Sequence, residues 1–189
     1  MKFTEEKILK DGKLQSGEVL GVDSFLNHQL DTEFLSRCGE EWYKLFKDEG
    51  VTKILTIESS GIAVACLAAQ HFDVPVVFAK KTGSTAGSDE FYKSKVVSFT
   101  HGHEYGVAVS KQYITSSDKV LILDDLIANG SAMKSLITIC KMAGATVVGC
   151  GAVIEKVYKN GGNDIRAMGY RVESLAKISS MSDDKISFC

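Results

Sequence analysis

The chain has 189 residues, 44% of them hydrophobic and 24% charged, with a formal net charge of −2. That length fits one domain spanning residues 1–189, able to bury roughly 70% of its unfolded surface. The charge balance provides no basic footprint for nucleic acid, and no apolar run approaches the roughly 18 residues of a membrane span, so neither partner is expected. The cysteines, at 38, 66, 140, 150 and 189, show no C-x-x-C pair and no metal-like spacing. Scattered thiols, and an N-terminus (MKFTEEKILKDGKLQ) that alternates charge and hydrophobe, predict reduced cysteines and a cytoplasmic protein.

From Phe3 to Lys10 a weak amphipathic pattern predicts a short helix, and the irregular segment GEVLGVDSFLNHQL (17–30) follows. Asp31 suits the N-cap of a second helix, in which Phe34, Leu35, Cys38, Trp42, Leu45 and Phe46 recur at helical spacing until Gly50 stops it. That aromatic stripe fits either a core or a subunit face. KILTIE (53–58) is a short β-branched run, and SSGIAVACLAAQHF (59–72) reads as a turn entering a small-residue helix. VPVVFAKK (74–81) is a second strand with Pro75 at its entry.

TGSTAGSDEFYKS (82–94) is small, polar and without period, so it is expected to be a long loop of the kind that serves function. KVVSFT and YGVAVSKQY, joined by HGHE, predict a hairpin, and His101, His103 and Glu104 read as its tip rather than as a metal site. Runs at 119–125 and 145–154 predict two further strands with a helix between them, and GYRVESLAKI and KISF two short ones near the C-terminus. Nearly continuous apolar strands alternating with helices argue an α/β protein with a parallel sheet covered on both faces.

In open α/β sheets ligands bind outside the carboxyl ends of the strands. Three of those ends carry unusual chemistry: Glu58-Ser59-Ser60-Gly61, Lys80-Lys81, and Asp124-Asp125 followed by Ala128-Asn129-Gly130-Ser131. The last is a phosphate cradle in outline. Gly130 lets backbone approach a ligand, Ser131 offers a hydroxyl, and the helix behind it presents N–H groups. Two carboxylates repel phosphate but suit sugar hydroxyls or a hydrated divalent cation, so the stretch fits a phosphorylated sugar. There is no G-x-G-x-x-G after a strand and no P-loop sequence.

LILDDLIANGSA resembles the phosphoribosyl-diphosphate (PRPP) signature of type I phosphoribosyltransferases. VLGVDSFLNHQLD, TIESSGIAVA, VPVVFAKK, VVSFT, AVS, VIEK and GYRVESLAKI follow the order of that family's bacterial, xanthine-acting branch across essentially the whole chain. The resemblance implies a mostly parallel central sheet flanked by helices, a flexible loop and hairpin insertion, and a small hood built from the termini. It implies transfer of ribose 5-phosphate from PRPP to xanthine, with release of diphosphate and Mg²⁺ bound with PRPP rather than directly by protein side chains.

By position, the resemblance gives Asp124 and Asp125 the ribose hydroxyls and the developing positive charge. It gives Ala128, Asn129, Gly130, Ser131 and Ala132 the 5-phosphate. Glu58, Ser59, Ser60, Gly61 and Lys81 would meet the diphosphate, and Leu20, Asn27 and Lys156 the base. Where relatives carry Ala-Arg-Lys this chain has Ala79-Lys80-Lys81, a point charge in place of a fork. Lys156 suits an electron-rich base, and the Asn27 amide can both donate and accept. Residues 82–94 are expected to close over PRPP, and a homodimer is expected. Two rivals stand: a guanine- or hypoxanthine-acting enzyme, and a non-catalytic PRPP or purine sensor, for which the chain lacks a basic DNA-binding segment.

Overall fold

The computed structural model describes residues 2–15, 19–82, 89–98, 103–182 and 185–189. Helix α1 covers Phe3–Asp11, and the short strands β1 (Lys13–Gln15) and β2 (Val19–Gly21) pair antiparallel, Leu14 opposite Leu20. A single π-helical turn, Asp23–Asn27, leads to α2 (Thr32–Phe46). The Asp31 carboxylate caps α2 by accepting from the Phe34 N–H at 3.0 Å, an arrangement worth about 1 kcal/mol. Beyond α2 a 3₁₀ turn runs into Gly50, whose φ of 68° is the left-handed stop expected of glycine there.

The central elements are β3 (Lys53–Ile57), α3 (Ser60–Phe72), β4 (Val76–Thr82), β5 (Phe91–Ser98) and β6 (His103–Ser110). They continue with β7 (Lys119–Ile127), α4 (Ser131–Ala143), β8 (Thr146–Lys156), α5 (Gly161–Ala167), β9 (Val172–Ser182) and β10 (Lys185–Phe188). Eight strands form one sheet in the order β10-β9-β8-β7-β3-β4-β6-β5. The run from β9 to β4 is parallel throughout, while β10, β6 and β5 add antiparallel edges. From β3 the chain moves first to β4 on one side and later to β7 on the other. The order therefore reverses between β3 and β7, which opens a crevice at their carboxyl ends.

Strand alternation explains two cores. Ile54, Leu121 and Val153 face α2 and α3 together with Trp42 and Phe46, whereas Leu55, Ile122 and Ala152 face α4 with Leu136 and Ile139. The aromatic stripe of α2 is thus core: Phe34, Leu35, Cys38, Trp42 and Phe46 are all buried, leaving Tyr43 and Leu45 exposed. The expected hood takes the form of α1 laid over β9, with Thr4 Oγ1 donating to Leu175 O at 2.8 Å.

Two expectations need correction. The loop predicted over 82–94 is shorter at both ends, because Thr82 belongs to β4 and Phe91–Ser94 to β5; residues 83–88 lie outside the described residues. The period-2 signal was present, since Tyr92, Ser94 and Val96 face inward while Phe91, Lys93 and Lys95 face out. The C-terminal strand is also longer than GYRVESLAKI suggested, running to Ser182. His101 lies outside the described residues, and among those described no three His, Cys, Asp or Glu side chains form a metal-binding group. All five cysteines are free, and burial pushes the Cys140 and Cys150 thiols up to about 12. No helix among the described residues is long and apolar enough to cross a membrane.

Candidate active site

Strand β7 carries its apolar run, Val120–Leu123, through the centre of the sheet and delivers Asp124 and Asp125 at the carboxyl end. Asp124 is 5% exposed and Asp125 half-buried. The Asp125 N–H donates to Asp124 Oδ1 at 3.0 Å. Burial first, and the neighbouring Asp125 second, hold the Asp124 carboxyl well above the usual carboxylate range. A buried acid beside a second acid is costly in the free protein and suited to a positively charged or hydroxyl-bearing ligand.

The turn after β3 meets this pair. A Cβ placed on Gly61 would lie 2.8 Å from Asp124 Oδ1 and 2.2 Å from Thr56 Oγ1, so only glycine lets α3 start so close to β7. Glu58 closes the other side, accepting from the Lys81 N–H, while its own N–H donates to Ala79 O at 3.1 Å. The Glu58–Ser59 peptide is cis. Lys81 Nζ stands 5.3 Å above the Tyr105 ring. Burial, and then the charge of Asp124, push the Tyr105 hydroxyl up, which places Lys81, Tyr105 and Asp124 in one neighbourhood. Lys80 instead stands over Phe78, on the exposed side of β4.

Beyond Ile127 the chain turns through Ala128 and Asn129 to Gly130, whose φ of 74° caps α4. By helix geometry the N–H groups of Ala132 and Met133 have no intrahelical acceptor and are available to an anion. The Ser131 N–H is different from expectation: it donates to Asn129 Oδ1 at 3.1 Å, a short side-chain turn that shapes the loop. The turn rests against the start of α5, where the Gly161 N–H donates to Ala128 O at 3.0 Å.

Ile127 of β7 pairs with Glu155 of β8, so Lys156 emerges next to the turn that follows Ile127. Leu20, on β2, packs with the first core, to which Tyr158 also belongs. Asn27 ends the π turn and is exposed; among the described residues no hydrogen bond joins its side chain to the acid pair. The structure therefore brings together residues 58–61, Lys81, 124–125, 128–132 and Lys156, and leaves Leu20 and Asn27 on a separate segment.

Three neighbours escaped the sequence. Thr56 is fully buried and its hydroxyl makes no hydrogen bond among the described residues; a hydroxyl inside KILTI was the available signal. Tyr105 had no signal beyond strand alternation. Gly161 looked like ordinary turn chemistry.

The donor set suits a hard cation held mainly by its ligand. Asp124 and Asp125 supply carboxylate oxygens, of which Mg²⁺ commonly takes one or two, completing its shell with phosphate and water.

Known proteins resemble this chain in sequence and in fold. A family model described as the phosphoribosyl transferase domain matches residues 27–179. A xanthine phosphoribosyltransferase of Lachnoclostridium phytofermentans is 50% identical over 182 residues, covering 96% of this chain and 94% of its own. One of Finegoldia magna is 47% identical over 188 residues, covering 100% and 99%. Among solved structures, APRTase from Giardia lamblia complexed with 9-deazaadenine superposes with a TM-score of 0.79 at 20% identity, covering 95% of this chain and 99% of that one. The adenine phosphoribosyltransferase from Rhodothermus marinus gives 0.75 at 23% identity, covering 93% and 98%. Identity that low speaks for fold alone, but the sequence relatives match from end to end at about half their positions. The chain belongs to the phosphoribosyltransferase family.

Proposed function

We propose that this chain, acting as one domain over residues 1–189, transfers the 5-phosphoribosyl group from PRPP to xanthine, giving xanthosine 5′-monophosphate and diphosphate in purine salvage. The observation that carries the reading is the meeting of the acid pair, the Gly130 turn and the Gly61 turn at one switch-point crevice. The end-to-end relatives named xanthine phosphoribosyltransferase support the choice of base.

Each group has a chemical task. The turn Ala128–Ala132 holds the 5-phosphate on backbone N–H groups at the start of α4. Glu58–Gly61 and Lys81 border the diphosphate, whose negative charge Lys81 partly offsets. Asp124 and Asp125 accept from the ribose hydroxyls and stabilise the positive charge that develops on the sugar as the bond from C1 to diphosphate breaks. A base nitrogen then bonds to C1, and the proton it carried leaves. Mg²⁺ bound with PRPP supplies charge neutralisation of the leaving diphosphate. Lys156 faces the oxo groups of xanthine, with Asn27 and Leu20 closing the base pocket from the N-terminal segment. Catalysis of this kind is positioning and electrostatics, which a rigid switch point supplies.

The working form we propose is a cytoplasmic homodimer. Its interface lies elsewhere than the aromatic stripe of α2, which the chain's own core consumes. Sedimentation equilibrium of the purified protein checks the dimer.

The test of function is a panel of purines with PRPP and Mg²⁺, followed by product release. Xanthine should give the highest kcat/KM. A clear advantage for hypoxanthine, guanine or adenine overturns the specificity, and binding of PRPP without turnover of any purine favours the sensor.

A further inference from the structure

Next to Lys156 sits a group that the reaction itself does not use. Glu155 is fully buried on β8, and both its oxygens are engaged. Arg166 donates to Oε1 at 2.8 Å and to Oε2 at 2.9 Å, and Ser174 Oγ donates to Oε2 at 2.6 Å. Arg166 also donates to Val172 O at 3.2 Å. The pair therefore closes the chain from β8 through α5 into a loop and ties its far end to β9.

That loop touches the phosphate turn at its middle. A Cβ on Gly161 would fall 2.3 Å from Gly130 N and 2.4 Å from Ala128 O, so the two backbones are in direct contact. Gly162, the next residue, lies against the pair itself, its notional Cβ 1.9 Å from Glu155 Oε1. A second strut runs outside: Lys134 Nζ, on α4, donates to Asp164 Oδ2 at 2.7 Å and to Asn129 O at 3.4 Å.

We propose that Glu155 and Arg166 are positioning residues that hold the base-side lysine and the 5-phosphate turn as one rigid unit, with Gly161 as the point of contact. The inference rests on the assignment of Lys156 to the base and of Ala128–Ala132 to the 5-phosphate. A buried ion pair is a poor way to gain stability, since apolar residues of equal volume commonly do as well. What a bidentate arginine adds is a single allowed geometry. Here that geometry fixes where Gly161 stands, and Gly161 fixes Ala128 O. Displacing α5 then moves both substrate sites, while Asp124 and Asp125, held in the β7 ladder, stay in place.

The test uses Arg166→Lys, which keeps the charge and loses the fork. The KM values for PRPP and for xanthine should rise together, each about tenfold as expected for sub-ångström misplacement of binding groups, with kcat changed less than about twofold. Amide hydrogen exchange of the free protein should quicken in 126–132 and in 156–162 alike, with β3 unaffected. Ser174→Ala, which leaves the arginine in place, should show the same pattern more weakly, and it decides the matter where Arg166→Lys loosens the whole fold. A rise in the xanthine KM alone, or unchanged exchange in 126–132, overturns the linkage. Absence of turnover by the unmodified protein would instead count against the proposed function, and exchange would still decide the brace.

Discussion

Asp124 on β7 and Glu155 on β8 sit on neighbouring strands, 5% and 0% exposed, yet their surroundings are opposite in kind. Burial would raise Glu155, but the hydrogen bonds from Arg166 and Ser174 outweigh it and hold the carboxyl below its usual range. Asp124 has burial and another acid beside it, so its carboxyl is held high. One acid has its charge matched by hydrogen bonds and an arginine, and the other faces a second acid. An acid that the fold neutralises serves the framework, and one that it leaves in tension serves chemistry.

The strongest way to break this contrast is Glu155→Ala. Removing one partner of a buried pair costs about 3–5 kcal/mol, so denaturant unfolding should show a loss of that order. A change under about 1 kcal/mol would mean that the pair is not the framework element described. Asp125→Asn should do the reverse. Turnover should fall about 10²–10³-fold, the scale of losing one preorganised electrostatic group, while the melting temperature moves by no more than about 2–4 °C. Near-normal turnover in that variant would remove the pair from the mechanism.

A smaller effect sharpens the contrast through pH. With a raised folded value, Asp124 keeps a proton that the unfolded chain releases above about pH 4, so its contribution to stability declines as pH rises through that window. Glu155 has the opposite sign: its contribution is present above about pH 4.3 and is lost as pH falls through its lowered folded value. Asp124→Asn should therefore raise the melting temperature at pH 7, by about 2–4 °C for each kcal/mol relieved, and flatten the decline that sets in above about pH 4. Glu155→Gln should leave that decline intact and flatten the acid limb. Identical pH profiles for the two variants would erase the distinction between them.

The sequence was most readable where one physical rule dominates. Val120–Leu123 and, in β3, Ile54, Leu55 and Ile57 are apolar because both faces of the sheet are covered, and the charges just beyond them mark strand ends at the crevice. Asp31 and Gly50 punctuate α2 through backbone chemistry local enough to see. Less readable was whatever depends on contacts far apart in the chain. The inward alternation of Tyr92, Ser94 and Val96 was masked by polar neighbours until α4 was seen to cover it. Asn129 taking up the Ser131 N–H requires a side-chain rotamer that composition does not encode. Gly161 has meaning only because α5 folds back onto residues more than thirty positions earlier, and the family likeness did not mark it either.

The contact between Gly130 and Gly161 also bears on how this chain can evolve. A side chain added at 161 cannot be offset by trimming 130, which already has none to give, and the left-handed φ at 130 bars the reverse exchange. Second-site suppressors of a change at either position are therefore not to be found at the other. Drift in this part of the chain has to leave both glycines in place, and change is confined to residues that their contact does not touch.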